Sequence, residues 1–179
     1  MKSKGKIFEE NFLESTQKQN IFIHRLKDTD LSFNGNAVSS FTPKNKCDFF
    51  LFGMVENNKG NLFCIECKST KYTSMSIAFN EDEDNKMIKL HQIKSLLKLS
   101  EYDGVYSGFL LNFRDDDNNL DNTYYISIQN FLKFLKETSK KSINKTDCEL
   151  RGIKVESTLK RKYYNYNVER MIADIVKEE

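Results

Sequence analysis

The sequence predicts an α/β domain with a central mixed β-sheet flanked by helices. Amphipathic stretches with helical spacing alternate with short apolar runs bounded by turn residues, in the order helix, strand, strand, strand, helix, strand. At 179 residues the chain suffices for one domain with a proper core, so residues 1–179 are read as a single domain. The charged fraction is high at 30%, yet fourteen Phe and eight Tyr can fill a core, which sets the composition apart from that of a disordered chain.

Ile7, Phe8, Phe12 and Leu13 recur at helical spacing between Lys4 and Gln17 and predict a first helix. Glu9 borders its apolar stripe and on residues alone reads first as a solvated helix glutamate. IFIHRL alternates as a short strand, and the segment from Leu26 to Lys46, with Gly35 and Pro43, reads as a turn-rich connection. KCDFFLF is an apolar strand covered on both faces, GMVENNKGN its turn, and NLFCIECK the second strand of the hairpin. Ser69 to Asn85 reads as a solvated loop ending in EDEDN, and Asn85 to Ser100 as an amphipathic helix with a basic outer side. GVYSGFLLNF and TYYISI are strands about the loop RDDDNNLDN, Gln129 to Glu137 is a short helix, GIKVES a strand, and Val168 to Lys177 a terminal helix. No apolar run reaches the length needed to cross a bilayer, and MKSKGKIFEENF lacks the apolar stretch of a signal peptide, so a cytoplasmic location and reduced thiols are expected.

The chemistry concentrates in CDFFLFGMVENNKGNLFCIECKST. Alternation along a strand puts Cys64, Glu66 and Lys68 on one face and Phe63, Ile65 and Cys67 on the other. Asp48 opens the partner strand. Hard cations such as Mg2+ take oxygen ligands, often one or two carboxylates with waters and a substrate phosphate, and Asp48 with Glu66 meets that need. Lys68, on the face of Glu66, suits holding or deprotonating an attacking water and countering phosphate charge, which are the parts of phosphodiester hydrolysis. The alternative is an ordinary Glu66–Lys68 surface pair on an edge strand. Cys64 and Cys67 form a CxxC, but the two thiols face opposite sides of a strand and no second knuckle exists, which argues against structural zinc. RDDDNNLDN has Leu120 and Ile126 where a calcium loop needs Gly and Glu.

In order along the chain, GKIFEENF, IHRLKD, CDFFLF, CIECKST, HQIKSL, GFLLNF, KSIN and YYNYNV resemble the PD-(D/E)xK nuclease superfamily, and within it the RecU-like Holliday junction resolvases of Firmicutes and their phages. That resemblance implies a restriction-endonuclease-like core and a Mg2+- or Mn2+-dependent endodeoxyribonuclease. It puts the metal aspartate at Asp48, the metal glutamate at Glu66 with the backbone carbonyl of Cys67 beside it, the catalytic lysine at Lys68, a helix-borne acid at Glu9 and a further active-site position at Gln92. It implies DNA, branched or four-way, as partner, and a homodimer. Cys47 stands where the superfamily name advertises Pro. The connection from Leu26 to Lys46 is too short and polar for the full stalk that RecU resolvases insert into the junction, which leaves a restriction-like or single-strand-directed nuclease, or a DNA-binding protein that does not cleave, as alternatives.

Ten Lys and Arg face four acids between Lys133 and Lys162, the one strongly basic stretch. Lys140, Lys141, Lys145, Lys160, Arg161 and Lys162, with Tyr163, Tyr164 and Tyr166 beside them, are the expected phosphate contacts. Lys71, Lys89, Lys94 and Lys98 form a second rim near the metal, the alternative for each being a solvated face.

Overall fold

A computed structural model describes residues 2–26, 45–55, 59–83, 85–115, 118, 120–161 and 163–178. The first helix, α1 (Lys4–Ser15), starts where the Ser3 hydroxyl accepts a hydrogen bond from the Lys6 amide at 3.3 Å, satisfying one of the donors a helix start leaves open. β1 (Ile21–Arg25) then pairs antiparallel with β2 (Phe49–Val55), and β2 with β3 (Lys59–Thr70). Beyond β3, β4 (Ser74–Ser76) and α2 (Leu90–Leu99) lead to β5 (Val105–Asp115), which lies parallel to β3. A parallel neighbour requires such a crossover.

β6 (Leu120–Ser127) returns antiparallel to β5, and α3 (Ile128–Glu137) is capped by the Ser127 hydroxyl. β7 (Ser142–Asn144) pairs with β4 as a separate two-stranded ribbon, and α4 (Lys145–Arg151) leads to β8 (Ile153–Val155), which joins β6. A hairpin of β9 (Ser157–Lys160) and β10 (Tyr163–Tyr166) precedes α5 (Val168–Glu178). Among the described residues the main sheet has the order β1-β2-β3-β5-β6-β8, a mixed sheet with helices on both faces.

Each face of the sheet carries its own core. Phe63, Ile65 and Leu110 meet Phe8 and Phe12 of α1, Tyr166 of β10, and Met171, Ile172 and Ile175 of α5. On the other face Cys64, Phe109 and Leu111 meet Ile93 and Leu96 of α2, with Phe131 and Phe134 of α3. A strand covered on both sides needs a continuous apolar run, which is why FLLNF in β5 does not alternate in polarity. β2, expected to be covered in the same way, is buried on one face only: Phe49, Leu51 and Val55 are buried, whereas Phe52 and Met54 on the other face are exposed.

Four further expectations need correction. The segment read as a turn after Phe52 is strand: Gly53, Met54 and Val55 pair with Asn61, Gly60 and Lys59. The two glycines serve close approach, for the Ile172 side chain and the Phe52 ring occupy the space their Cβ atoms would take. The solvated loop after Ser69 also gives way. β3 runs to Thr70, β4 forms, and Met75, Ile77 and Ala78 are buried. α2 begins only at Leu90, because Ile88 is held extended by the Ala78 amide donating to its carbonyl at 2.8 Å and its own amide donating to Ser76 O at 3.0 Å. Lastly, Arg114 and Asp115 pair with Asp121 and Leu120, so most of the acidic loop belongs to strands.

Gly108 sits between Ile65 and Ser127 in the register, and a Cβ there would meet the Ile126 carbonyl oxygen and, at 2.7 Å, the Tyr125 ring. Overpacking of this kind costs about 1–3 kcal/mol. Gly108→Ala is therefore expected to lower the melting temperature by roughly 3–10 °C. Gly5→Ala, where a Cβ meets nothing within 4 Å, is expected to leave it unchanged or raise it. Thermal melts of both variants check the pair.

Candidate active site at the open end of the central strands

The site forms where β2 stops and β3 continues. Phe49, the first residue of β2, pairs with Ile65, so Glu66 to Thr70 extend past it with β5 on their other side. Asp48 takes over the ladder at that point. Its amide donates to the Ile65 carbonyl at 3.0 Å, its carbonyl accepts from Leu26 N at 2.8 Å, and its carboxylate Oδ2 accepts from Cys67 N at 2.7 Å. An aspartate directly before a strand is thus fixed by backbone on both sides and holds its carboxylate beside the Cys67 peptide.

Glu66 is only 4% exposed on a central strand, so it is no surface pair at a sheet edge. Its Oε1 accepts from Lys68 Nζ at 2.7 Å and from Gln92 Nε2. Gln92 is itself pinned, because its Oε1 accepts from the Lys89 amide at 3.0 Å at the start of α2. That bond fixes which end of the amide faces Glu66. Glu9, from α1, accepts a charge-assisted hydrogen bond from Arg25 at the end of β1. Arg25 lies in the IHRLKD motif, but the sequence assigns it no role, since only the register of β1 on β2 brings it to α1.

Glu9, Asp48, Glu66, Lys68 and Gln92 line one cleft of about 410 Å³, together with Cys47, Cys67, Lys89 and His91. Burial is the main cause that pushes the Glu66 carboxyl up to about 7; Asp48 and Glu9 add to the rise, and Lys68 opposes it. Burial and then the Asp48 charge also raise Glu9, against Arg25. Carboxylates that destabilise one another's charge in a partly buried cleft are a donor set that a cation would relieve. Among the described residues no three His, Cys, Asp or Glu side chains close into a ready-made cage. Asp48 and Glu66 supply two carboxylates to the cleft, and one or two carboxylates with waters is the sparse protein shell that Mg2+ takes.

On the opposite face, the end of β3 is tied down by a buried polar chain. Ser69 Oγ donates to Asn112 Oδ1 at 2.6 Å, and Asn112 Nδ2 donates to Asp121 Oδ1 at 2.6 Å and Thr123 Oγ1 at 2.9 Å. The Tyr166 hydroxyl donates to Asp121 Oδ2. Tyr166 is 1% exposed, so it is a core residue and not part of a DNA-facing patch.

The predicted DNA contacts are dispersed. Lys140 pairs with Asp147 at 2.6 Å and Lys145 with Glu149 at 3.6 Å, both about α4. Lys141 is exposed just before β7, and Lys160 and Arg161 are exposed at the β9–β10 turn, Arg161 with φ of 44°. Lys94 pairs with Glu81, while Lys89 lines the cleft and Lys71 is exposed directly after β3. Lys162 and most of the connection from Leu26 to Lys46 lie outside the described residues.

The fold and the cleft define a mixed α/β protein whose central strands end in a buried carboxylate–lysine site. No protein-family model matches the chain. It is 37% identical over 191 residues to the SPbeta prophage-derived uncharacterized protein YotM of Bacillus subtilis (strain 168), covering 99% of this chain and 89% of that protein. The chain belongs to the family of that protein. Its fold also has a likeness to the 1.6 Å structure of Archaeoglobus fulgidus Hjc, a Holliday junction resolvase from an archaeal hyperthermophile, with a TM-score of 0.49 and 18% identity over 84% of this chain and 95% of that one. A likeness this slight carries no argument about the site.

A carboxyl raised by burial has a defined linkage. With its folded pKa at about 7, above the ordinary 4.5, Glu66 contributes stability that is fully present below 4.5 and is lost as pH rises through about 7. In EDTA, the wild type is expected to lose about 6 °C more than Glu66→Gln in melting temperature between about pH 5.5 and about pH 8, the equivalent of roughly 2 kcal/mol. Parallel pH profiles of the two proteins would refute this.

Proposed function

We propose that the protein is a Mg2+- or Mn2+-dependent DNA endonuclease that acts on branched or four-way DNA as a homodimer. The observation that carries the reading is the convergence of Asp48, Glu66 and Lys68 in one cleft at the open end of the central strands, with Glu66 buried and Gln92 directed at it. Asp48, Glu66 and the Cys67 carbonyl are the groups that would hold the metal, and Glu9 stands beside them under the hold of Arg25. A bound Mg2+ or Mn2+ supplies Lewis-acid stabilisation of the charge that develops on the phosphate oxygens.

The chain's own residues do the rest. The Lys68 ammonium, held at 2.7 Å from Glu66 and largely shielded from solvent, orients the attacking water and offsets the charge of the phosphate. Gln92 keeps Glu66 in one rotamer by tying it to the start of α2, and is therefore a positioning residue. The prophage origin of the related YotM suits an enzyme that processes recombining phage DNA. The branched substrate and the dimer rest on the ordered RecU-like motifs. Among the described residues no helix is long and apolar enough to cross a membrane.

With Mg2+, cleavage of a mobile four-way junction is expected to give symmetric nicks, with matched linear duplex cut far less. Asp48→Asn and Lys68→Ala should each lower the rate by about 10²–10⁴-fold. Gln92→Ala should lower it by about 10–100-fold and raise the Mg2+ concentration needed, with partial recovery at high Mg2+. Unchanged cleavage by Asp48→Asn and Lys68→Ala would remove the site from consideration.

A further inference from the structure

A second and wider cleft, of about 920 Å³, opens where β3 ends. It is lined by Lys71 and Tyr72 after β3, Arg114 at the end of β5, and Lys145 at the start of α4, with a polar wall that includes Asn122 and Asn144. We infer that this groove holds the sugar–phosphate backbone of a single-stranded DNA segment next to the cleavage site, with an unstacked base lying on Tyr72. The inference rests on the nuclease reading above and names the form of substrate that the site takes.

Position links the groove to the active site. Thr70 pairs with Phe113, and Phe113 with Asn122, so the groove's floor is built from the strands that carry the cleft. Side chains alternate along β3, so Glu66, Lys68 and Thr70 share the face that Phe113 and Asn122 present. Lys71 follows Lys68 by three residues, roughly 10 Å along a strand and about one to two nucleotides of extended backbone.

Charge and shape suit the same ligand. Among the described lining residues, Lys71, Arg114 and Lys145 face one carboxylate, Asp115, whose two oxygens accept from Asn118 N at 3.1 Å and Asn118 Nδ2 at 2.7 Å; outside the lining, Glu149 stands 3.6 Å from Lys145. Arg114 Nε is steadied by Ser69 Oγ at 3.0 Å, which anchors one cation to the strand of the catalytic lysine. Tyr72 is 68% exposed, its amide held by Thr70 Oγ1 at 3.0 Å, and Lys71 Nζ stands 5.6 Å from the centre of its ring. An exposed aromatic ring beside a cation is how proteins hold a base and its phosphate without reading sequence. In intact duplex the bases are stacked and cannot reach that ring, so the groove favours DNA with unpaired nucleotides beside the cut.

The test measures binding and cleavage separately. Fluorescence anisotropy, with Ca2+ in place of Mg2+, compares a duplex bearing a single-stranded thymidine tail with the same duplex blunt, over a salt series. Tyr72→Ala is expected to weaken tailed DNA about tenfold and blunt duplex less than about twofold, while Tyr72→Phe stays within about twofold of wild type. Lys71→Gln with Lys145→Gln is expected to weaken tailed DNA and to reduce the salt slope for it by about 1.5. If these variants bind tailed DNA as wild type does while wild type cleaves DNA with Mg2+, the groove inference is wrong and the nuclease reading stands. If wild type cuts no DNA but the variants show the losses, the groove stands as a DNA site and the nuclease reading falls.

Discussion

Glu66 sits in the central strand with 4% of its surface exposed, and the rest of the site is arranged to make that burial tolerable. Taking an isolated carboxylate out of water costs several kcal/mol, so such a group is paired, protonated or bound to a cation. Lys68 supplies a charge two residues along the same strand face, and Gln92 supplies a neutral donor from α2. The compensation is incomplete, because Asp48 and Glu9 bring further negative charge and burial still pushes Glu66 up to about 7. A protein selected for stability alone would place an apolar residue there. The cleft trades stability for an excess of carboxylates, as sites built for a hard cation do.

The sheet makes this possible by ending its strands at different heights. β2 stops one residue short of Glu66, so among the described residues the end of β3 is backed by β5 and has no strand on the other side, and the Asp48 carboxylate accepts from the Cys67 amide there. Rigidity comes from the opposite face. The Ser69–Asn112–Asp121–Tyr166 chain links β3, β5, β6 and β10 through partly buried hydrogen bonds, which gain strength as the local dielectric falls. Lys68 therefore stands on a strand held from both sides.

The strands and helices that carry the site were legible because their apolar residues repeat over a full element: α1, β3, β5 and α5 all lie close to where periodicity puts them. Asp48, Glu66 and Lys68 could be singled out since charged residues ending an apolar strand conflict with burial and so demand a partner. What stayed hidden depends on tertiary contacts. β4 and β7 are three residues each, too short to show alternation, and exist because Met75 and Ile143 are buried against the α2–α3 layer. Gly53 and Gly60 mimic turn glycines, although close packing is what requires them. Tyr166 looked like a surface aromatic within a basic run; its ring instead packs at 5.7 Å from that of Phe8 inside the core.

The proposed nuclease needs a divalent ion held between Asp48 and Glu66. Titration calorimetry of the DNA-free protein with Mn2+ tests that claim most directly, in wild type, Asp48→Asn and Glu66→Gln. The account predicts that Mn2+ binds wild type and binds each variant at least about tenfold more weakly, with the variants folded by their thermal melts. Equal Mn2+ affinity in all three proteins would contradict it.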